Sequence, residues 1–183
     1  MLRQLPNAIS ALRALLAVPI AIALLHDEHR WALALAVVAG ASDALDGFLA
    51  KRYGWQSRLG AWLDPAADKL LLITCFVTLA VVGAVPQWLV GLVIVRDLVL
   101  VGGSVTYQSL IGALTPQPST LGRVTTLLQI GAVLTALMAR AGIAVPERFA
   151  AAVFALAALA TLASGIDYVR VWVGRARSRR SAS

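Results

Sequence analysis

The chain has 183 residues, of which 60% are hydrophobic and only 14% charged, and it carries a net charge of +7. A soluble domain is about half apolar with roughly a quarter of its residues charged, so this composition excludes an ordinary water-soluble globule and fits an integral membrane protein. The positive charge is no argument for nucleic acid, because the basic residues cluster at the ends of apolar runs, where lipid headgroups would meet them.

In chain order, the first apolar run covers residues 8–25 after a short mixed start containing Arg3. A signal peptide is disfavoured, because Arg13 interrupts the run and no small-residue cleavage site precedes the polar His26-Asp27-Glu28-His29-Arg30. The run reads instead as a first membrane helix containing Pro19, a candidate kink. The two histidines have no cysteine beside them and are expected to be solvated. Further helices are expected over residues 31–51, 60–83, 87–110, 119–140 and 149–173, separated by Gly/Pro-containing turns such as Gly83-Ala84-Val85-Pro86. Each has about 20 residues, enough to cross a hydrocarbon core of about 30 Å. No period-two alternation is sustained, which excludes a membrane β-barrel. The expected fold is an all-α bundle of six transmembrane helices in one domain, residues 1–173, followed by a basic tail, residues 174–183, expected to fray. The lone Cys75 lies inside an apolar run, where a packing role is expected and no disulfide is possible within the chain.

Orientation follows from lysine and arginine. Arg3, Lys51, Arg52, Arg58, Lys69, Arg123 and the four arginines of the tail fall on one side, whereas only Arg30, Arg140 and Arg148 fall on the other. Both termini are therefore expected to face the cytoplasm, with a polar cavity in the cytoplasmic half of an inner membrane.

Ionisable residues inside membrane spans are costly and tend to mark a site. Asp43 and Asp46 are three apart near the end of the second span, and Asp64 and Asp68 four apart near the start of the third. On helices each pair shares one face. Helix capping or pairing with Lys51, Arg52, Arg58 and Lys69 is the bland alternative, and Asp64 before Pro65 is a plausible helix start. It does not explain Asp43 and Asp46, which stand where the helix dipole disfavours acids. Four acids in one small volume need a cation or the protonation of some of them; a divalent metal is the favoured reading, and oxygen-only ligands favour a hard ion such as Mg2+, Mn2+ or Ca2+. Gly47 and Gly60 leave room for close approach.

The string from Asp43 to Asp68 resembles the signature of the CDP-alcohol phosphotransferases, Asp-x2-Asp-Gly-x2-Ala-Arg-x8-Gly-x3-Asp-x3-Asp. Its positions fall on Asp43, Asp46, Gly47, Ala50, Lys51, Gly60, Asp64 and Asp68, the one departure being Lys51 in place of arginine. Charge is kept there, but the bidentate fork is lost, and Arg52 stands beside it to compensate. The opening Pro6-Asn7-x2-Ser10-x2-Arg13 is similar to the family's amino-terminal Pro-Asn-x2-Ser/Thr-x2-Arg, so the resemblance spans nearly the whole chain. It implies attack of an alcohol hydroxyl on the β-phosphorus of a CDP-linked lipid such as CDP-diacylglycerol, with release of CMP. It further implies two Mg2+ or Mn2+ ions held by Asp43, Asp46, Asp64 and Asp68, with Asp68 as general base. Asn7, Arg13, Gly47, Ala50, Lys51 and Gly60 would accommodate or hold the nucleotide, and the protein is expected to be a homodimer.

For the acceptor, Arg96-Asp97 and Gly122-Arg123-x-Thr125 are informative. Glycerophosphate-accepting members typically show Gly-Lys-x-Lys-Thr at the second place, and here Arg123 and neutral Thr125 replace the lysines. The CMP-forming cardiolipin synthases also lack the second lysine, and their Arg-Asp pair and Leu-Asp-Pro-x-Ala-Asp-Lys segment look like Arg96-Asp97 and Leu63–Lys69. The expected acceptor is phosphatidylglycerol, with glycerol-3-phosphate next, and Arg96, Asp97 and Arg123 as acceptor-binding residues. A buried ion pair between helices is the alternative for Arg96-Asp97. A cation- or proton-coupled transporter would also place acids in helices, but no internal repeat supports one. A non-catalytic scaffold would tolerate asparagine at all four aspartates.

Overall fold

The computed structural model describes the backbone of residues 5–53, 60–111 and 120–180, and the side chains of residues 11–42, 66–103 and 120–171. Among these residues the structure is entirely helical, with α1 at Leu5–Leu25, α2 at His29–Tyr53, α3 at Gly60–Val81, α4 at Gln87–Ile111, α5 at Thr120–Arg140 and α6 at Glu147–Arg180. Six helices were expected and six are found, with shifted ends. α1 starts at Leu5, one residue ahead of Pro6, which suits the first helical turn because its missing N–H is not needed there. Pro19 lies inside α1 without ending it. α3 begins at Gly60, so Asp64-Pro65 lies within the helix and not at its start. α6 continues to Arg180, past the boundary at residue 173, so the tail expected to fray is helical as far as Arg180. Arginine and alanine are good helix formers, which accounts for the extension.

Two helical stretches among the described residues, Thr120–Arg140 and Glu147–Val171, are long and apolar enough to cross a membrane. The outward faces are apolar as well. Leu12, Leu15, Val18, Ile22 and Leu25 recur at helical spacing on the exposed side of α1, and Leu156, Leu159, Leu162, Ile166 and Val169 do so on α6. An apolar exterior of this extent marks a surface meant for lipid or a partner rather than water.

The chain divides into two compact units. The first holds Met1–Pro86 and Val133–Pro146, thus α1, α2, α3 and the end of α5 with the turn after it. In it α1 packs against both α2 and α3. The buried face of α1 is Arg13, Ala17, Ile20 and Leu24, spaced by four, three and four residues, which is one stripe of a helix. Ala67, Cys75, Phe76, Thr78 and Leu79 are buried on α3, so Cys75 takes the packing role expected for it. Alanines at 17, 32 and 39 are buried, and small side chains let helix backbones approach closely.

Three helix ends close in the same way. After α1, Asp27 N–H donates to Leu24 O and Glu28 N–H to Ala23 O, with Asp27 in the left-handed region at φ 61°. After α3 and α5 the same pair of bonds forms around Gly83 at φ 72° and Gly142 at φ 84°. These two hydrogen bonds, one from the left-handed residue and one from the residue after it, satisfy carbonyls that the helix end would otherwise orphan. Glycine suits it because it has no Cβ to clash, whereas Asp27 adopts it at a cost of about 1–2 kcal/mol.

The second unit holds Gln87–Ala132 and Glu147–Ser183. Here α4 packs against α6. Side-chain hydrogen bonds join α5 to α6 in two places: Thr125 Oγ1 lies 3.0 Å from Ala160 O, and Gln129 Nε2 donates to Thr161 Oγ1 at 3.0 Å.

Candidate functional site

The site is built on three helices of the first unit. α2 carries Asp43, Asp46, Gly47, Ala50 and Lys51, and α3 carries Gly60, Asp64 and Asp68. Both pack on α1, which carries Asn7 and Arg13. The side chains of Asn7, Asp43, Asp46, Gly47, Ala50, Lys51, Gly60 and Asp64 lie outside the described residues. Their backbones are helical, so Asp43 and Asp46 share a face of α2, and Asp64 and Asp68 share a face of α3.

Of the site residues in this unit, the structure brings together Arg13 and Asp68, across 55 residues of sequence. Arg13 Nη1 donates to Asp68 Oδ1. The pairing is asymmetric: the Arg13 side chain is 2% exposed and that of Asp68 is 46% exposed. Arg13 is buried because it continues the stripe of Ala17, Ile20 and Leu24 that packs α1 into the bundle. A guanidinium held there needs an anion, since a buried unpaired charge is costly. Asp68 supplies it while nearly half of its side chain stays exposed. Arg13 is expected to help hold the nucleotide, and the structure pairs it with the carboxylate expected to act as base.

The acceptor candidates lie in the second unit. Arg96 and Asp97 are both buried, and Arg96 Nη1 donates to Asp97 Oδ1 at 2.8 Å. Arg96 Nη2 also donates to Ser164 Oγ on α6 at 2.8 Å, and its Cγ lies 3.7 Å from where a Cβ on Gly165 would stand. The pair itself is between neighbours on α4, so the tie between helices runs through Ser164. Arg123 is exposed. Thr125, which stands where glycerophosphate-accepting members carry a lysine, is fully buried. Its hydroxyl lies 2.8 Å from Leu121 O and 3.0 Å from Ala160 O, so its one proton is shared within the α5–α6 contact. Thr161 in turn donates to Ala157 O at 2.6 Å while accepting from Gln129.

Sequence reasoning missed Ser164 and Thr161. They are three residues apart, polar, and set in an otherwise apolar helix, which is the signal that marks one bonding face of α6. It also expected both histidines to be solvated. His26 is exposed, but the His29 side chain is 15% exposed, with Nε2 3.5 Å from Asp27 Oδ1.

The chain is similar in sequence to several known proteins. A probable cardiolipin synthase (CMP-forming) of Drosophila melanogaster is 35% identical over 122 residues, covering 65% of this chain and 36% of the relative. A chloroplastic CDP-diacylglycerol--glycerol-3-phosphate 3-phosphatidyltransferase of Oryza sativa subsp. japonica is 40% identical over 102 residues, covering 56% of this chain and 31% of the relative. A probable phosphatidylglycerophosphate synthase of Mycobacterium tuberculosis (strain CDC 1551 / Oshkosh) is 33% identical over 147 residues, 79% of this chain and 68% of the relative. The chain thus spans about a third of the length of the first two of these curated relatives. The model of the CDP-alcohol phosphatidyltransferases matches residues 3–167, which include both acid pairs, Arg13, Arg96-Asp97 and Arg123, and the chain belongs to that family.

Proposed function

We propose that this protein transfers a phosphatidyl group from CDP-diacylglycerol to an acceptor hydroxyl and releases CMP, and that it does so within a membrane, a reading its apolar exterior supports. The observation that carries the proposal is the string of eight signature positions from Asp43 to Asp68, set on two helices that both pack on α1. Six spanning helices with cytoplasmic termini, a single domain and a homodimer complete the proposal. The transporter alternative finds no support in the family membership.

Phosphoryl transfer needs charge neutralisation and a positioned nucleophile rather than covalent protein chemistry. Asp43, Asp46, Asp64 and Asp68 form an oxygen-only donor set that suits Mg2+ or Mn2+. When bound, two such ions would supply the positive charge that offsets the diphosphate and the departing CMP. The acceptor oxygen bonds to the β-phosphorus as the bond to the CMP oxygen breaks, and the hydroxyl proton passes to Asp68. Arg13 fixes the orientation of Asp68 through Oδ1, which supports the reading that the carboxylate is positioned to take the acceptor's proton. Gly47, Ala50 and Gly60 leave space for the nucleotide, and Lys51 and Asn7 hold its phosphate and base.

Phosphatidylglycerol is the favoured acceptor, which makes the protein a cardiolipin synthase. The supporting observation is Thr125, a neutral side chain whose hydroxyl is engaged by two backbone carbonyls and offers no cation to a phosphate dianion. Glycerol-3-phosphate is the second possibility, favoured by the phosphatidylglycerophosphate synthase that covers 79% of the chain. Purified protein given CDP-diacylglycerol with either acceptor, and the products read by mass, decides between them. Cardiolipin formed only with phosphatidylglycerol is the expected result, and phosphatidylglycerophosphate formed from glycerol-3-phosphate alone would reverse the assignment.

A further inference from the structure

At the far end of the first unit from the acid pairs lies a second polar site. The turn between α1 and α2 and the turn after α5 together form a cleft of about 330 Å3, lined by Asp27, Glu28, His29, Arg30, Arg140 and Gly142, with Trp31 and Ala141 beside them. Thirteen residues of α2 separate Arg30 from Asp43, about 20 Å along a helix, so this cleft is no extension of the transfer site. A second, mainly apolar groove of about 370 Å3 adjoins it, sharing Arg30, Ala141 and Gly142 and continuing over Leu33, Ala34 and Ile143.

We propose that this pair of cavities binds one whole phospholipid with a zwitterionic headgroup ending in a primary ammonium. Three features of the site select that chemistry. The first is charge: two guanidiniums and two carboxylates line the same cleft. A purely anionic headgroup would meet Asp27 and Glu28, and a purely cationic ligand would meet Arg30 and Arg140. A phosphate and an ammonium on one molecule answer both sets, the phosphate through charge-assisted bonds from arginine and the ammonium by donating to carboxylate. A primary ammonium has three donors, whereas a quaternary one has none, so ethanolamine is preferred to choline. The second is an open donor or acceptor: His29 Nδ1 is buried and meets no hydrogen-bond partner among the described residues. A buried polar atom of that kind calls for a partner, and His29 is itself one of the residues that line the cleft.

The third feature is continuity. Leu33 and Ala34 lie one turn further along α2 from Arg30, so the groove runs from the headgroup cleft along the helix. A free headgroup would leave that apolar groove empty, whereas a glycerol backbone with the first carbons of its acyl chains fills it. Trp31, 67% exposed at the rim, is the residue type that settles at headgroup level. Arg30 and Arg140 are also two of the three basic residues on this side of the expected topology. The site therefore lies at the interface opposite the one proposed for the reaction, where it would sense or anchor lipid in the outer leaflet.

Native mass spectrometry of the full-length protein tests this directly. The protein is titrated with phosphatidylethanolamine, phosphatidylcholine and phosphatidylglycerol of identical acyl chains. One phosphatidylethanolamine is expected to bind at least about tenfold more tightly than phosphatidylcholine, the difference that one lost charge-assisted contact corresponds to. The double variant Asp27→Asn, Glu28→Gln, which removes the carboxylates that meet the ammonium, abolishes that preference. Ala34→Trp fills the groove without touching a charge and lowers phosphatidylethanolamine binding as well. Soluble phosphoethanolamine in excess is expected to leave the lipid bound. CMP release from CDP-diacylglycerol reports that each variant is folded, and should the double variant lose it, Ala34→Trp decides. Equal binding of phosphatidylethanolamine and phosphatidylcholine, a preference that survives the double variant, phosphatidylethanolamine binding undiminished in Ala34→Trp, or displacement by phosphoethanolamine would overturn the proposal.

Discussion

Asp68→Asn separates the structural from the chemical duty of one side chain. The amide has nearly the shape of the carboxylate, so Arg13 keeps an oxygen to donate to but loses a charge. A hydrogen bond to a charged group contributes about 1.5–3 kcal/mol and a neutral one about 0.5–1.5 kcal/mol. Because the Asp68 side chain is 46% exposed, solvent already weakens the charged form. The expected loss is thus near the lower end of the difference, about 1 kcal/mol. That changes the folded-to-unfolded ratio by roughly fivefold, against a typical total stability of about 5–15 kcal/mol, and leaves the protein folded. Losing a general base lowers the rate by about 10²–10⁴-fold. The two effects are far enough apart to be told from each other. CMP release measured on monodisperse protein, with the melting temperature taken on the same sample, gives both numbers. Retention of more than a tenth of the parent rate would refute the base role, and a collapse in melting temperature would refute the estimate for the ion pair.

Asparagine at Asp43, Asp46 or Asp64 is expected to lower CMP release by about a thousandfold or more, because each removes a ligand from ions on which the transfer depends. Unchanged rates in all three would point to a non-catalytic scaffold. In α6, Thr161→Val orphans the buried amide of Gln129, whereas Gln129→Leu leaves Thr161 its bond to Ala157 O. The first should cost about 1–3 kcal/mol and the second less, and equal melting temperatures would contradict the hydrogen-bond assignment. Arg123→Gln alters an exposed side chain and is expected to change stability by no more than about 0.5 kcal/mol. If Arg123 meets the acceptor, KM for the acceptor rises while kcat holds; an unmoved KM removes it from the acceptor site.

The helices were legible because apolar runs of membrane length leave little choice of conformation. Their ends were less so. The first run was expected from residue 8, but Leu5, Pro6 and Asn7 already lie in α1, and the basic tail expected to fray after residue 173 extends α6 to Arg180. The acid string was legible because its spacing carries the geometry of two helix faces. What the chain alone hid was pairing at a distance. Arg13 meets Asp68 across 55 residues and Arg96 meets Ser164 across 68, and no local pattern states which faces will be packed together. His29 was misjudged for a related reason: a short polar loop suggests solvent, but a turn closed by a left-handed Asp27 folds the imidazole back against its neighbours.

The most direct measurement follows CMP released from CDP-diacylglycerol by the purified protein in lipid, with Mg2+ or Mn2+ added, then removed with EDTA, then restored. Release that needs both the metal and an acceptor, stops with EDTA and returns with the ion is the expected result. Release unaffected by EDTA, or no release with any hydroxyl acceptor, would contradict an acid site that works by holding divalent cations against a lipid-borne diphosphate.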